Sequence, residues 1–352
     1  MPRGPPRLLV AIGPDLDPGP AIATALPDVP WSLLPDTPPA ARGEVVAMLA
    51  GSRRHLEGFD AATTPKLAFV QRIFTGVDDF PFDRFPAPIA VAGNVGAYAP
   101  YVAEQALALA LAAARQIVPV QAMVRAGRLR PPPTQRLFAG ATAVILGYGA
   151  IGRAIADRLR GFDVTVVGVN RTGQMAPGVV SMYPADRLDE ALAVGDLVFD
   201  ARPLTRSTRG SIGRAQLERM RPRAIYVNVG RAATADEEAL YRHLESHLEF
   251  RAGTDPWWGE DFVHGTFHTR FPFWELPNFV ATPHSAGYGA GTIDRALTFA
   301  LRNLARYFAT GDPEHLVDRR DYAADLPTPA SAPPPAADGS GGDTSRAAAR
   351  TA

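Results

Sequence analysis

The stretch Ala141–Gly152, ATAVILGYGAIG, joins an apolar run to a G-x-G-x-x-G motif. The run predicts a buried strand, and the motif predicts a tight turn that opens a helix over Ile151–Arg160. Here Gly147 permits the turn, Gly149 lets the backbone approach a pyrophosphate, and Gly152 lets the helix pack on the strand. The helix start offers unpaired N–H groups and partial positive charge to phosphates. The cofactor-binding candidates in this turn are Gly147, Gly149, Ala150, Ile151, Gly152 and Arg153.

The segment after the next strand bears on which dinucleotide binds. Val164–Val169 predicts that strand, and Asn170-Arg171-Thr172 follows it. Sites that prefer NAD place a carboxylate about 20 residues after the glycines, where it accepts from the ribose 2′-hydroxyl. This chain has Asn170 there with a guanidinium beside it, and a guanidinium binds a 2′-phosphate. We therefore predict NADP as the preferred cofactor over NAD. The alternative is that Arg171 stacks on the adenine and both cofactors work.

Short apolar runs alternate with helical patterns along the rest of the chain, which is typical of an α/β protein with a doubly wound parallel sheet. The predicted strands are Ala141–Leu146, Val164–Val169, Leu197–Asp200, Ala224–Val229, Phe250–Thr254 and Phe279–Thr282. The predicted helices are Ile151–Arg160, Leu188–Val194, Arg214–Met220, Glu237–His247 and Ile293–Phe308.

The first hundred residues predict a smaller α/β unit. Its expected strands are Leu8–Ile12, Leu67–Phe74 and Ile89–Val91, with a Pro-rich stretch between the first two. Arg42–Leu49 and His55–Ala62 are candidate connecting helices, although Val45–Leu49 could equally be a strand. The Ala- and Leu-rich segment Tyr101–Met123 predicts a helix that Pro119 kinks or divides.

Composition limits the function classes. The 352 residues carry 36 Lys+Arg, 36 Asp+Glu and no cysteine. Balanced charge gives no electrostatic footprint for nucleic acid or an anionic membrane, and the lack of cysteine excludes disulfides and thiolate metal sites. The longest apolar run, Ala106–Ala114, is far shorter than the ~20 residues that span a bilayer. We expect a cytoplasmic protein with no nucleic-acid partner, no membrane segment and no metal. Residues 322–352, rich in Ala, Pro, Gly and Ser, predict a disordered tail.

Charged side chains follow the later strands. Arg231 follows Ala224–Val229, Asp255 and Glu260 follow Phe250–Thr254, and His284 follows the last strand. Because the carboxyl ends of parallel strands form the ligand crevice of such a sheet, these side chains can converge on the cofactor site. A guanidinium, a carboxylate and an imidazole suit the reduction of a carbonyl group.

In this order, the motifs from Gly147 to His284 resemble the D-isomer-specific 2-hydroxyacid dehydrogenase family. Earlier and intervening segments also resemble that family, over about Leu67–Gly287. These segments are Thr75-Gly76-Val77-Asp78, Asn94 with Tyr98 and Val102-Ala103-Glu104, and Pro203-Leu204-Thr205 with Thr208-Arg209-Gly210. The resemblance implies two similar Rossmann- or flavodoxin-like domains with a cleft between them. The substrate domain would be discontinuous, formed by residues 1–100 and 288–320, and residues 101–287 would form the dinucleotide-binding domain. It also implies a homodimer, with the helix from Tyr101 at the contact.

The resemblance implies a role for each strand-end residue. Arg231 would bind the carboxylate of a 2-oxo acid, and His284 would act as general acid in reduction and base in oxidation. Glu260 would pair with the imidazole and favour its protonated form. The substrate-binding candidates are Thr75, Gly76, Val77, Arg231 and His284. The remaining cofactor-binding candidates are Asn170, Arg171, Thr172, Arg202, Pro203, Thr208, Val229 and Asp255.

Some residues depart from the family pattern. Asp261 follows Glu260 where relatives usually have Pro, so Asp261 is an alternative partner for His284. Pro256 follows Asp255, whose expected role is to orient the nicotinamide carboxamide. Arg202 stands where relatives usually have an apolar residue, and it could stack on adenine or assist with a 2′-phosphate. The aromatic-rich segment around Trp257 is expected to be mostly a packed loop, with an apolar wall over the substrate as the alternative.

We expect an NAD(P)H-dependent reductase of small 2-oxo acids, of the glyoxylate or hydroxypyruvate type. A phosphoglycerate dehydrogenase, or a family member that oxidises phosphite or a phosphonate-type substrate, is the alternative within the class. Outside it, some relatives are cofactor-sensing regulators with little turnover, which a reductase assay would distinguish.

Overall fold

A computed structural model describes residues 6–129 and 134–322 and contains two parallel sheets covered by helices, which confirms the α/β fold class. The first sheet has the strand order β2-β1-β3-β4-β5. Its elements are β1 (Arg7–Ala11), α1 (Gly19–Ala25), β2 (Trp31–Leu33), β3 (Val45–Ala50), β4 (Phe69–Arg72) and β5 (Ala90–Ala92). Both faces of this sheet are buried, so its strands are almost continuously apolar.

Two expectations for this sheet were wrong. Arg42–Leu49 is not a helix, because its second half forms the central strand β3, which is the alternative that the apolar run allowed. His55–Ala62 is not a helix either: short 3₁₀ turns cover Arg53–Leu56 and Ala61–Thr63. The Pro-rich stretch holds α1 and the short strand β2, which the sequence did not indicate. Pro20 lies in the first turn of α1, where a missing N–H costs no helical hydrogen bond.

Two helices then lead to the second sheet. They are α2 (Ala99–Arg115) and α3 (Ile117–Arg125). The break between them lies at Gln116, which has φ of 53°, and not at Pro119, which the first turn of α3 accommodates. Among the described residues no single helix is long and apolar enough to span a membrane, although α2 and α3 pass that test together across a 58° bend.

The second sheet has seven strands in the order β14-β11-β10-β9-β6-β7-β8. Its strands and helices are β6 (Thr142–Leu146), α4 (Ala150–Leu159), β7 (Thr165–Asn170), β8 (Ser181–Pro184), α5 (Leu188–Val194), β9 (Leu197–Asp200), α6 (Arg214–Arg219), β10 (Ile225–Asn228), α7 (Glu237–Ser246), β11 (Arg251–Thr254) and β14 (Phe279–Ala281). Between β11 and β14 lies a hairpin of β12 (Gly259–Asp261) and β13 (Thr266–His268). The edge strand β8 and this hairpin were not expected from the sequence.

The chain finally returns to the first sheet. Helix α8 (Thr292–Thr310) packs against α1 and β4, and the Asn94 side chain donates to the Ala296 carbonyl at 2.9 Å. Leu316 then pairs with Ala92 of β5. Tyr322, which the sequence assigned to a tail, belongs instead to a 3₁₀ turn over Arg319–Tyr322, and its ring stacks on Phe82 in the connection between β4 and β5. The rest of that predicted tail lies outside the described residues.

Candidate active site

The glycine-rich turn leaves room for a ligand at one of its three glycines. Gly147 has φ of 84°, and a Cβ there would lie 3.0 Å from the Ala201 backbone. A Cβ on Gly152 would lie 2.5 Å from the Gly147 carbonyl oxygen, so close packing requires glycine there too. A Cβ on Gly149 would meet nothing within 4 Å. Turn geometry and packing therefore explain two of the glycines, whereas the third faces open space, as a pyrophosphate-binding turn requires.

The start of α4 borders that space. Helix α4 begins at Ala150, and no side chain caps its first turn. Ile151 and Gly152 continue the turn, and Arg153 is exposed beside it. Uncapped N–H groups and the helix dipole together form an anion site, so the residues present fit the phosphates of a dinucleotide.

The loop after β7 is shaped by Asn170. Its Oδ1 accepts from the backbone N–H groups of Thr172 and Gly173 at 3.1 and 2.6 Å. Arg171 and Thr172 are both exposed at this carboxyl end of the sheet. Asn170 thus holds the loop, while the Arg171 guanidinium supplies positive charge where the sequence predicted a 2′-phosphate contact.

Arg202 makes a contact that the sequence analysis did not anticipate. Its Nε and Nη2 donate to the two carboxylate oxygens of Asp200 at 2.9 and 2.6 Å. Asp200 is fully buried and also accepts from the hydroxyls of Tyr226 and Thr234, at 3.1 and 3.0 Å. Because two of its three guanidinium nitrogens serve this pair, Arg202 contacts the glycine-rich turn mainly through its aliphatic stem, near Gly147.

The same network supports the loop that carries Arg231. Asn228 Nδ2 donates to the Arg231 carbonyl at 3.0 Å, and the Thr234 hydroxyl oxygen lies 2.9 Å from the same carbonyl oxygen. Val229 donates its N–H to the Asp200 carbonyl at 2.9 Å, which ties the ends of β9 and β10 together. On the neighbouring loop, Thr208 Oγ1 donates to the Pro203 carbonyl at 2.6 Å. These bonds fix the backbone from which the Arg231 side chain extends.

The Arg231 guanidinium reaches across to the first sheet. Its Nε donates to both carboxylate oxygens of Asp78, at 3.1 and 3.0 Å. Nη2 lies against Gly76, where a Cβ would be only 1.8 Å away. Neither Gly76 N–H nor Val77 N–H donates to a backbone carbonyl within residues 6–129 and 134–322. A guanidinium and two such N–H groups form a suitable site for a carboxylate.

Burial and charge act in opposite directions on the pair of Arg231 and Asp78. Burial alone would lower the pKa of Arg231, but the Asp78 carboxylate outweighs it and the pKa is raised. Burial would likewise raise the pKa of Asp78, yet Arg231 lowers it below its usual value. Both groups therefore carry full charge at neutral pH.

Thr75, which the sequence also suggested as a substrate-binding residue, donates its hydroxyl to the Asn94 carbonyl at 3.0 Å.

The structure brings His284 and Glu260 together. His284 Nδ1 lies 2.6 Å from Glu260 Oε1, which also accepts the Trp257 N–H at 2.8 Å. His284 has φ of 51°, and its N–H donates to the Asp255 carbonyl at 2.8 Å. With Nδ1 held by the carboxylate, Nε2 is the nitrogen that can exchange a proton with a ligand.

Asp261 has a different partner. Its Oδ2 lies 2.7 Å from His264 Nδ1 on the same hairpin, and both side chains are exposed. Because successive residues of a strand point to opposite sides, Glu260 faces His284 and Asp261 faces away.

Asp255 is buried and holds the loop of the acid/base residue. Its Oδ1 accepts the Thr282 hydroxyl at 2.5 Å and the Ser285 N–H at 2.9 Å, and its Oδ2 accepts the Ala286 N–H at 3.1 Å. These bonds fix the chain on both sides of His284. A contact of Asp255 with a nicotinamide stays a prediction.

Two charged residues of the site, Asp78 and Asp200, were not selected from the sequence. Asp78 is the last residue of the family-like segment Thr75-Gly76-Val77-Asp78, so its position was the available signal. Asp200 ends β9 two residues before Arg202, but an acid at a strand end is common and does not indicate its partner.

Among the described residues no group of three or more His, Cys, Asp or Glu side chains could hold a metal ion.

The sequence of this chain is similar to a family model and to several known reductases. Residues 107–286 match the family model described as "D-isomer specific 2-hydroxyacid dehydrogenase, NAD binding domain". A glyoxylate reductase of Thermococcus onnurineus is 31% identical over 288 residues, which are 78% of this chain and 82% of that protein. Glyoxylate/hydroxypyruvate reductase B of Pectobacterium carotovorum is 34% identical over 227 residues, 62% of this chain and 69% of that protein.

A solved structure shares the fold over nearly the whole chain. It is a D-isomer specific 2-hydroxyacid dehydrogenase from Xanthobacter autotrophicus in complex with NADPH and MES. Its TM-score is 0.75 at 26% identity, and the match covers 91% of this chain and all of that one.

Proposed function

Because the chain belongs to the D-isomer-specific 2-hydroxyacid dehydrogenase family, we propose that Arg231, His284 and Glu260 are the residues that perform its reaction. The protein is an NAD(P)H-dependent oxidoreductase that reduces 2-oxo acids to 2-hydroxy acids. The observation that carries the assignment of residues is the imidazole–carboxylate pair of 2.6 Å, which lies on the same edge of the sheet as the Arg231 loop. The product is proposed to be the D-2-hydroxy acid.

Substrate binding is assigned to groups from both sheets. The carboxylate of the 2-oxo acid would lie between the Arg231 guanidinium and the N–H groups of Gly76 and Val77. Asp78 keeps the guanidinium in place through Nε, so Nη2 beside Gly76 is the donor directed to the substrate. A fixed carboxylate presents the neighbouring carbonyl to His284 in one orientation, which is the entropic part of catalysis.

Proton transfer is assigned to His284 Nε2. Glu260 accepts from Nδ1, which sets the tautomer and stabilises the imidazolium. In reduction the imidazolium donates its Nε2 proton to the carbonyl oxygen as that oxygen gains negative charge. In the reverse direction the neutral imidazole removes the proton from the hydroxyl group. The glycine-rich turn would hold a nicotinamide cofactor, whose chemistry would be the transfer of the hydride.

NADPH is the proposed preferred cofactor. The support is the exposed Arg171 after β7 and the lack of a carboxylate in Asn170-Arg171-Thr172. Arg171→Ala should raise the KM for NADPH about tenfold and leave the KM for NADH unchanged, since only NADPH carries the extra phosphate. Equal effects on both cofactors would contradict the preference.

A homodimer and a cytoplasmic location are also proposed. Helix α3 exposes apolar side chains, with Ile117, Val118 and Val124 about half exposed or more, and such a patch favours association. Light scattering should give the mass of two chains, and a monomer at every concentration would contradict the dimer.

The absence of cysteine fits a reducing compartment, and fractionation would test the location.

The assignment of residues is tested by absorbance at 340 nm with glyoxylate, hydroxypyruvate and pyruvate, each with NADPH and with NADH. We expect turnover that falls by at least about 10³-fold in His284→Asn, because asparagine tolerates the positive φ but cannot transfer the proton. His264→Asn is the matched control, since it removes the other imidazole–carboxylate pair of the same hairpin. Equal loss in both variants, or loss in neither, would contradict the proposal.

A further inference from the structure

The hairpin of β12 and β13 is fixed at its base to the loop that carries His284. The Trp257 ring stacks on Phe267 with centroids 4.2 Å apart. Trp257 is buried, and its Nε1 donates to the Thr282 carbonyl at 3.0 Å, two residues before His284. The hairpin and the imidazole are therefore held in one arrangement.

The tip of the hairpin is fixed as well. Asp261 Oδ1 accepts the N–H groups of Val263 and His264 at 3.0 and 3.1 Å. Phe262 is the first residue of the turn that follows β12, two positions after Glu260. The Phe262 ring lies 5.2 Å from the His284 ring at an angle of 69°. Glu260 and Phe262 thus contact the imidazole together.

Phe262 differs from its aromatic neighbours in exposure. Trp257 and Phe273, from the same aromatic-rich segment, are 7% and 0% exposed, whereas Phe262 is 63% exposed. Trp257 and Phe273 therefore belong to the core, whereas the Phe262 ring leaves an apolar face exposed beside the reactive imidazole. Core packing does not account for its position.

The site chemistry indicates what that face meets. Glu260 occupies Nδ1, so the substrate carbonyl must lie near Nε2, within about 3 Å. With the carboxylate at Arg231, the substituent on the carbonyl carbon is the part of a 2-oxo acid left to face the surroundings of the imidazole. An aromatic ring there favours an apolar substituent and gives a charged one no partner.

We propose that Phe262 is a specificity-determining residue whose ring forms an apolar wall against the substituent of the 2-oxo acid. The substrate class is then 2-oxo acids with a small aliphatic substituent. The proposal rests on the proposed function, because it requires the substrate to bind between Arg231 and His284.

The test compares 2-oxopentanoate with glyoxylate, which has no substituent. The quantity is the ratio of their kcat/KM values, measured with the same cofactor in the wild-type protein, Phe262→Ala, Phe262→Leu and Val263→Ala. Loss of an apolar contact of this size should lower the ratio about tenfold in Phe262→Ala. Phe262→Leu should restore most of it. Val263, an exposed apolar residue of the same turn, is the matched control, and its variant should keep the wild-type ratio.

The outcomes separate the two proposals. A ratio in both Phe262 variants equal to that of the wild type, or higher, would overturn the role of the ring while leaving the proposed function intact. A wild-type protein that reduces neither substrate would refute the proposed function, and the role of Phe262 with it. Because the Phe262 side chain is largely exposed, Phe262→Ala should fold, and a melting temperature equal to that of the wild type would establish this before the ratios are compared.

Discussion

Gly76→Ala should remove most of the activity without unfolding the protein. A Cβ on Gly76 would lie 1.8 Å from Arg231 Nη2 and 2.9 Å from Asp78 Oδ1. Nonbonded heavy atoms pack about 3.5 Å apart, so the guanidinium must retreat by roughly 1.7 Å. The obstructing atom is the end of a flexible side chain, and Gly76 does not have a positive φ, so the fold can accommodate the methyl group.

The magnitude follows from the role of Arg231. A displacement of about 1 Å in a group that orients the substrate can cost about 10²-fold in rate. We expect kcat/KM for glyoxylate to fall by at least about 100-fold, which corresponds to ~2.7 kcal/mol of transition-state stabilisation. Cofactor affinity should stay at the wild-type value, because Gly76 lies in the loop after β4 of the first sheet, whereas the glycine-rich turn follows β6 of the second.

The assay combines steady-state absorbance at 340 nm with cofactor titration by fluorescence and a melting temperature. Gly43→Ala is the matched control, since a Cβ at Gly43 would meet nothing within 4 Å. If Gly76→Ala retained kcat/KM within about threefold of the wild-type value, less than ~1 kcal/mol would be involved. That result would refute the role of Arg231, because it would show that the guanidinium beside Gly76 does not bind the substrate.

Three further predictions concern the pair, the turn and the pH dependence. Glu260→Gln should lower kcat by about 10²-fold, because a neutral amide stabilises the imidazolium poorly. Asp261→Asn should leave kcat unchanged. The reverse pattern would identify Asp261 as the partner of His284. Gly149→Ala should keep the wild-type melting temperature but weaken cofactor binding at least about tenfold, since the methyl group enters space that is open in the free protein; unchanged affinity in a titration would place the pyrophosphate elsewhere. Burial, with the neighbouring His247, lowers the pKa of His243 to about 4. The unfolded state therefore binds this proton first, and the free energy of unfolding should fall as the pH drops from about 6.5 to 4. His243→Gln should lose less thermal stability over that range, and an identical loss would show that other groups cause it.

The sequence predicted the second sheet well because its signals are local. Buried parallel strands give continuous apolar runs, and the glycine turn has a fixed relation to the strand before it. The strands that were missed are short: β2, β8 and the two hairpin strands have three or four residues each, too few for a periodicity to emerge. The helix expected over Arg42–Leu49 failed for a related reason, since a short apolar run fits either structure.

For the site, residue types were predictable and partners were not. Glu260 and Asp261 are both acids, and only the direction of β12 separates the one that meets His284 from the one that meets His264. The sequence indicated that Arg202 places a positive charge near the cofactor turn. It did not indicate that the buried Asp200, two residues earlier, binds this guanidinium, because that contact depends on the geometry of the strand end. Asp78 and Arg231 are 153 residues apart and come from different sheets, so no local pattern relates them.

The return of α8 to the first sheet has a consequence for the order of folding. Leu8, Val10 and Phe69 of that sheet are covered by Leu297, Leu301 and Leu304, more than 200 residues later in the chain. During synthesis the first sheet must therefore leave the part of this apolar face that α1 does not cover exposed until α8 leaves the ribosome, whereas the second sheet has its own strands and helices complete by then. The half of the molecule that is made first is thus the half that folds last, and its early apolar strands need protection from aggregation in the meantime.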